Sequence, residues 1–437
     1  MADSNSVTTR KIAAIAVSGV LGPNIALEDA IAQQPEYASL DPRDRAFARA
    51  IAATTLRRLG QIDAALKPLL RSPPPRDVHA VLRTATAQMV FMDTPPHAAV
   101  GDSVAATHSM GQPKFAKLVN AVLRRVSEDG PKSPKVRAMT APPKTNLPGW
   151  LRGSWEAAYG AQAMRRIALQ FQKSPPLDLS VKSDPELWAE KLGGELLPTG
   201  TVRLEKIGNI TELEGFDDGA WWAQDIAASL PALMLDIEPG MRVLDLCAAP
   251  GGKTLQLAAR GAKVTSLDIN ETRLTRLREN LARTKLDADI VVADALEWSP
   301  DAPFDAVLLD APCSATGTLR RHPDVLHNKT PKAVSQLTGL QRRLLARACD
   351  FVAPGGQLVY ATCSLQPEEG RPQIDKLLSK RSDFGLNPTL TTMVSKLSTG
   401  LQPQLFEDGY LRSLPYFLGD KGGMDGFFAA RVDRMAG

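Results

Sequence analysis

The chain has 437 residues, 43% hydrophobic and 23% charged, the composition of a soluble globular protein too long for one ordinary core, so two or three domains are expected. No apolar run reaches the roughly 18 residues of a membrane span, and Met1-Ala2-Asp3-Ser4-Asn5-Ser6 lacks a signal-peptide pattern. Four cysteines without a CxxC pair, at gaps of 66, 36 and 14 residues, fit no zinc spacing. Free thiols in a reducing, cytoplasmic compartment are expected, with no metal.

The net charge of +4 is unevenly spread. Residues 1–146 hold 19 Lys/Arg against 12 Asp/Glu, a net +7, which leaves −3 for the remainder. That asymmetry suggests a polyanion-binding module joined to a mildly acidic catalytic body, or else chance surface charge.

In chain order, residues 8–126 read as helices. Apolar residues recur at helical spacing in Ile12, Ile15, Ala16 and Val20, through 46–59, and through 78–92. Asp41 reads as an N-cap before Pro42, and Pro73-Pro74-Pro75 breaks the array. The last helix, 114–126, sets Lys114, Lys117, Arg124 and Arg125 around Phe115, Leu118, Val119 and Val122. Its basic side is either a solvated face or a phosphate contact. An all-helical RNA-binding domain is therefore expected over 1–140, with 127–146 as a proline- and lysine-rich linker. Residues 147–215 mix helices at 153–172 and 185–192 with strands at 177–181 and near 202–204, so a small α+β module is expected there, read as RNA-guiding. A turn at Trp221-Trp222-Ala223-Gln224-Asp225 leads into the last domain, 216–437.

From residue 241 the pattern is βαβ. Strand runs fall at 242–246, 263–267, 289–292, 306–309 and 357–360, with helices between them at 254–260 and 271–284. A late closing strand falls at 427–432. This alternation predicts a Rossmann-like parallel sheet covered by helices on both faces. In such sheets, ligands bind at the carboxyl ends of the strands.

The first strand carries Asp245 and runs into Cys247-Ala248-Ala249-Pro250-Gly251-Gly252-Lys253-Thr254. A glycine turn between strand and helix brings a ligand close to backbone N–H groups. The segment is neither a phosphate loop, because Cys247 stands at the first glycine position, nor a G-x-G-x-x-G. Asp268, Asp294 and Asp310 follow the next three strands, Asp268 placed for a ribose diol and Asp294 for an adenine edge. Taken singly, each reads equally as a cap or turn residue. Together they suit a ligand with hydroxyls, an amino group and a cationic sulfur, which describes S-adenosylmethionine.

Two cysteines sit just past strand-like runs, in Asp310-Ala311-Pro312-Cys313-Ser314 and Tyr360-Ala361-Thr362-Cys363-Ser364. Two thiols on a ligand-binding rim suggest covalent chemistry. C5 of cytosine is a poor nucleophile, and a thiolate added to C6 turns it into an enamine carbon able to attack a methyl sulfonium. A base then removes the C5 proton and the thiolate leaves. The thiol needs activation, which a cation such as Lys253 supplies, and an acidic group near ring N3, here Asp310, favours addition. The chemistry alone leaves open which cysteine attacks. Cys247 reads as packing in the glycine turn and Cys349 as core.

These residues resemble the Sun/Fmu family of RNA 5-methylcytosine methyltransferases, and within it the bacterial 16S rRNA enzymes. The matching segments are 244–253 around Cys247 to Lys253, 310–317 around Cys313, Arg321-His322-Pro323-Asp324, 360–364 around Cys363, and Gly426-Phe427-Phe428-Ala429. Residues 118–125 resemble the NusB-type domain fused to such enzymes. By position the resemblance implies that Cys363 is the nucleophile and that Cys313 assists product release. It also implies that Cys247 to Lys253 form the cofactor loop with Asp268, Asp294 and Asp310. The chain departs from the family where Glu368-Glu369 is followed by Gly370-Arg371-Pro372, and again in 325–332, so the helix after Cys363 is expected to differ. The expected function is S-adenosylmethionine-dependent methylation of cytosine C5 in 16S rRNA by a monomer. A tRNA substrate, a DNA or small-molecule substrate, and an inactive ribosome-assembly factor are the other readings.

Overall fold

The structure, a computed structural model, describes residues 4–205, 208–387 and 405–436. The chain divides into two compact units, Met1–Lys173 with Leu319–Lys329, and Ser174–Thr318 with Thr330–Gly437. No described helix is long and apolar enough to cross a membrane.

The first unit is helical. Its longer helices are Ser4–Leu21, Pro42–Arg57, Arg76–Phe91, Pro96–Ser109, Ala116–Val126 and Gly149–Gln170. Asp41 caps the second of these by accepting from Asp44 N at 2.8 Å, satisfying a helix-end donor as the sequence implied. The apolar stripes meet in one core that includes Ile12, Val17, Ile51, Leu56, Leu82, Val119 and Leu123. Lys114, Lys117, Arg124 and Arg125 are all exposed.

Residues 127–146 are not an open linker. Ser133 caps a helix over Pro134–Thr140, and Asn146 is buried against Gln61, accepting from its N at 3.0 Å and donating to its Oε1 at 3.1 Å. Polar anchors order this segment where apolar ones are sparse. The helix expected at 153–172 also packs in this unit, where Arg58 Nη1 donates to Gln172 Oε1 at 2.7 Å. The module expected over 147–215 is therefore divided between the two units, because its helix and its strands have different partners.

Leu319–Lys329 joins the first unit through backbone and polar side chains. Arg57 Nη2 donates to Arg320 O (2.7 Å), Leu27 N to Asp324 Oδ2 (3.3 Å) and Asn328 Nδ2 to Ile25 O (3.2 Å).

The second unit holds two sheets. The smaller, in the order β2-β3-β1-β4, comprises β1 (Leu177–Val181), β2 (Glu195–Leu196), β3 (Val202–Leu204) and β4 (Trp221–Ala223). The tryptophan segment is thus a strand antiparallel to β1 rather than a turn. Trp221 and Trp222 are buried, and the true helix start is Asp225, which accepts from Ala227 N at 2.9 Å. Beneath the sheet, Arg203 grips Asp178 with two bonds of 2.7 Å, both side chains being buried.

The larger sheet contains β5 (Arg242–Leu246), β6 (Lys263–Asp268), β7 (Asp289–Val292), β8 (Phe304–Asp310), β9 (Val352–Thr362), β10 (Phe384–Leu386), β11 (Phe406–Glu407), β12 (Tyr410–Ser413) and β13 (Phe427–Arg434). The order is β11-β12-β13-β9-β8-β5-β6-β7, with β10 also on β13. The run β9-β8-β5-β6-β7 is parallel. The closing strand β13 lies antiparallel to β9, so the sheet is mixed. Val243, Leu244, Val307, Leu308 and Leu309 are wholly buried, the continuous apolar pattern of strands covered on both faces. The chain passes from β5 outward to β6 and β7, then returns to β8 on the other side of β5. That reversal places the ligand crevice at the carboxyl ends of β5 and β8.

Candidate active site

The turn after β5 is closely packed. Cys247 has φ +60° and Gly251 φ +108°, and the Ala249-Pro250 bond is cis. A Cβ on Gly251 would lie 2.3 Å from Leu277 Cδ1, so only glycine fits there. Gly251 starts the helix Gly252–Ala259, whose first turn aims two side chains back at the strands. Thr254 Oγ1 donates to Asp245 Oδ2 at 2.6 Å, and Lys253 Nζ donates to Asp310 Oδ2 at 2.7 Å. Burial opposes the Lys253 ammonium, yet the neighbouring Asp310 carboxylate outweighs it and the pKa is raised.

Asp268 and Asp310 are the last residues of β6 and β8, while Asp294 lies two residues past β7. Asp268 accepts from Ala249 N (3.2 Å) and Asn270 N (2.9 Å), which pins the glycine turn to β6. Asp294 Oδ1 accepts from Leu296 N at 2.9 Å, a turn contact. Asp245 is wholly buried, and burial pushes its carboxyl up to about 7, with Asp310 and Asp268 adding to the effect and Thr254 and Lys253 opposing it. Its Oδ1 has no hydrogen-bond partner. Asp245, Asp268 and Asp310 thus gather around two cations, Lys253 on Asp310 at 2.7 Å and Arg273 at 3.6 Å from Asp268, with one carboxylate oxygen unfilled. That set suits a cationic, hydroxyl-bearing ligand better than a polyphosphate. S-adenosylmethionine fits it.

The two rim thiols meet. β8 and β9 are parallel neighbours with Asp310 opposite Ala361, so the segments leaving them run side by side. Cys363 follows β9 directly, Cys313 lies three residues past β8, and their sulfurs are 3.4 Å apart. The hydrogen bond to Cys363, with burial, raises the Cys313 thiol well above its usual range. Gly317 N donates to Cys363 O at 3.0 Å and Gly426 N to Gly317 O at 2.9 Å. A Cβ on Gly317 would lie 1.8 Å from Gly426 O, and one on Gly426 would lie 3.0 Å from Gly317 Cα, which explains the glycines of both segments. Lys253 Nζ also stands 5.3 Å from the Phe427 ring centre.

The remaining thiols are placed otherwise. Burial raises Cys247 strongly, with Asp268, Asp310 and Asp245 acting in the same direction. Cys349 is buried in the core, its thiol pushed up to about 12 mainly by desolvation. One residue escapes a reading of the sequence. Glu369 lies on the short turn Pro367–Glu369, just before the helix Arg371–Leu378, fully buried between the two cysteine segments. Only its acidic character is visible in sequence, just before the departure at Gly370-Arg371-Pro372.

A mixed sheet with an acid-lined glycine turn at its switch point is the fold of a Rossmann-like methyltransferase. Residues 232–433 match the family described as 16S rRNA methyltransferase RsmB/F, and residues 7–128 match the NusB family. A ribosomal RNA small subunit methyltransferase B from Xanthomonas campestris is 38% identical over 80% of this chain and 82% of its own length. One of the same description from Serratia proteamaculans is 32% identical over 99% of this chain and 100% of its own. The crystal structure of PH0851 matches with a TM-score of 0.76 at 24% identity, covering 98% of this chain and 99% of that one, which shows a shared fold. The chain belongs to the RsmB/F family of rRNA methyltransferases, and its methyl donor is S-adenosylmethionine.

Proposed function

We propose that the protein methylates C5 of a cytosine in 16S rRNA through a covalent adduct with Cys363. The observation that carries this is the pair of free thiols 3.4 Å apart on the rim beside the Lys253–Asp310 ion pair.

The two sulfurs lie within hydrogen-bond distance and either can be the donor, so the choice of Cys363 as the attacking thiol rests on the family resemblance of the Tyr360–Ser364 segment. Cys363 Sγ bonds to C6 of the base, and the electron pair of the C5=C6 bond moves toward C5. Lys253 places its ammonium in the electrostatic reach of Cys363, and Asp310, held by Lys253, faces the ring to favour addition near N3. The glycine turn from Cys247 to Lys253 with Asp268, Asp294 and Asp310 would hold S-adenosylmethionine, which would supply an electrophilic methyl carbon to C5, its methyl–sulfur bond breaking to leave S-adenosylhomocysteine. A base takes the C5 proton, the C6–S bond breaks, and Cys313 assists that release. The basic face of the 114–126 region supplies phosphate contacts in the helical domain.

The test is transfer of labelled methyl to 16S rRNA lacking the modification, followed by digestion to nucleosides. Label in 5-methylcytidine is expected. Label in another nucleoside refutes the cytosine-C5 assignment. Transfer to tRNA but not to 16S rRNA refutes the substrate, and bound cofactor without transfer to any RNA favours the assembly-factor reading.

A further inference from the structure

The reaction above makes no use of Glu369, although its carboxylate is buried at 0% exposure. Burying a carboxylate is costly unless its lone pairs are filled. Here they are filled from both cysteine segments. Ser314 N donates to Oε1 at 2.9 Å, and the Ser314 and Ser364 hydroxyls both donate to Oε2. Gln341 Nε2 donates to Oε1 at 3.0 Å and also to Pro312 O at 2.9 Å. The backbone oxygen of Glu369 accepts from Tyr360 OH (3.0 Å) and Thr362 Oγ1 (3.2 Å).

Pro312 and Ser314 flank Cys313, and Thr362 and Ser364 flank Cys363. The Glu369 carboxylate therefore holds Ser314 and Ser364, one neighbour of each sulfur, while its backbone oxygen holds Thr362 and Gln341 links the carboxylate to Pro312. Hydrogen bonds to a carboxylate are short and directional, so they fix position more sharply than apolar packing. We propose that Glu369 is a positioning residue: it locks the Cys313 and Cys363 segments together so that the two sulfurs keep the spacing the covalent reaction needs. This rests on the two-cysteine reading above.

Glu369→Met fills the space but removes both acceptors. Misplacing reacting groups by about 1 Å lowers turnover by about 100-fold, so kcat is expected to fall by that order while KM for RNA and S-adenosylmethionine affinity stay within threefold, about 0.6 kcal/mol. Glu369→Gln restores one acceptor for Ser314 N and Gln341, and the two serine hydroxyls can turn to accept from its amide. Most of kcat should return. Diamide oxidation of Cys313 and Cys363 to a disulfide, read by mass, should slow in Glu369→Met in step with kcat and recover in Glu369→Gln. A role in general stability would leave that rate unchanged per folded molecule.

Wild-type kcat or an unchanged oxidation rate in folded Glu369→Met overturns the proposal, as does an equal loss of cofactor affinity. Should Glu369→Met not fold, Gln341→Met decides. A fall of about tenfold in kcat and in oxidation rate supports the proposal, and wild-type values overturn it. Cys363→Ala run alongside separates the two levels. Activity in that variant sinks the covalent reading itself, whereas an inactive Cys363→Ala with a fully active Glu369→Met sinks only the role of Glu369.

Discussion

Asp245→Asn should make the protein more stable relative to wild type as the pH rises. The carboxyl is wholly buried, desolvation lifts it from 3.8 to about 7, and only Thr254 bonds it directly. With the folded pKa above the unfolded one, the native state binds more protons between those values, so wild type loses stability from about pH 4 to about pH 7. A rise of about three pKa units at 1.36 kcal/mol each bounds that loss at about 4 kcal/mol. Asparagine keeps an acceptor for Thr254 but puts an N–H₂ group where Oδ1 has no partner, a pH-independent cost of about 1–3 kcal/mol. The offset leaves the sign at low pH open to either direction, but the slope is fixed. Urea denaturation of both proteins at pH 5, 6, 7 and 8 gives the difference directly, since titrations elsewhere largely cancel. A difference that rises with pH by a few kcal/mol and levels above pH 7 fits the buried charge. A flat or falling difference refutes it.

Arg203→Met strands the buried carboxylate of Asp178 and should cost about 3–5 kcal/mol in chemical denaturation. Gly251→Ala forces a Cβ toward Leu277 at a positive φ. It should lose about 1–3 kcal/mol of stability and bind S-adenosylmethionine more weakly by calorimetry. Changing Lys117, Arg124 and Arg125 to Gln should weaken RNA binding and flatten its salt dependence by about 0.7–0.9 for each phosphate that is no longer neutralised. An unchanged slope would place the RNA elsewhere.

Elements governed by local pattern are legible in the sequence. The helix Glu271–Thr284 and strand β7 fall where periodicity sets them, and the runs of small and branched residues in β5 and β8 announce buried parallel strands. Both rim cysteines are legible because each follows such a run. What escapes depends on distant partners. The Trp221-Trp222 segment resembles a turn because the strand it pairs with lies about forty residues earlier. Residues 127–146 resemble a linker because their anchor is Gln61. Lys253 suggests an activating cation, but its hydrogen bond goes to Asp310, 57 positions on, and only its field reaches Cys363. Glu369 shows in sequence only as part of an acidic pair, since the donors that define its role come from Ser314, Gln341 and Ser364.

The most direct test of the covalent account compares wild type, Cys363→Ala and Cys313→Ala with 16S rRNA and S-adenosylmethionine, assaying methyl transfer and denaturing-gel adducts together. The expected result is transfer by wild type, no transfer and no adduct with Cys363→Ala despite retained cofactor binding, and an RNA–protein adduct accumulating with Cys313→Ala. Transfer at the wild-type rate by Cys363→Ala would contradict the account outright.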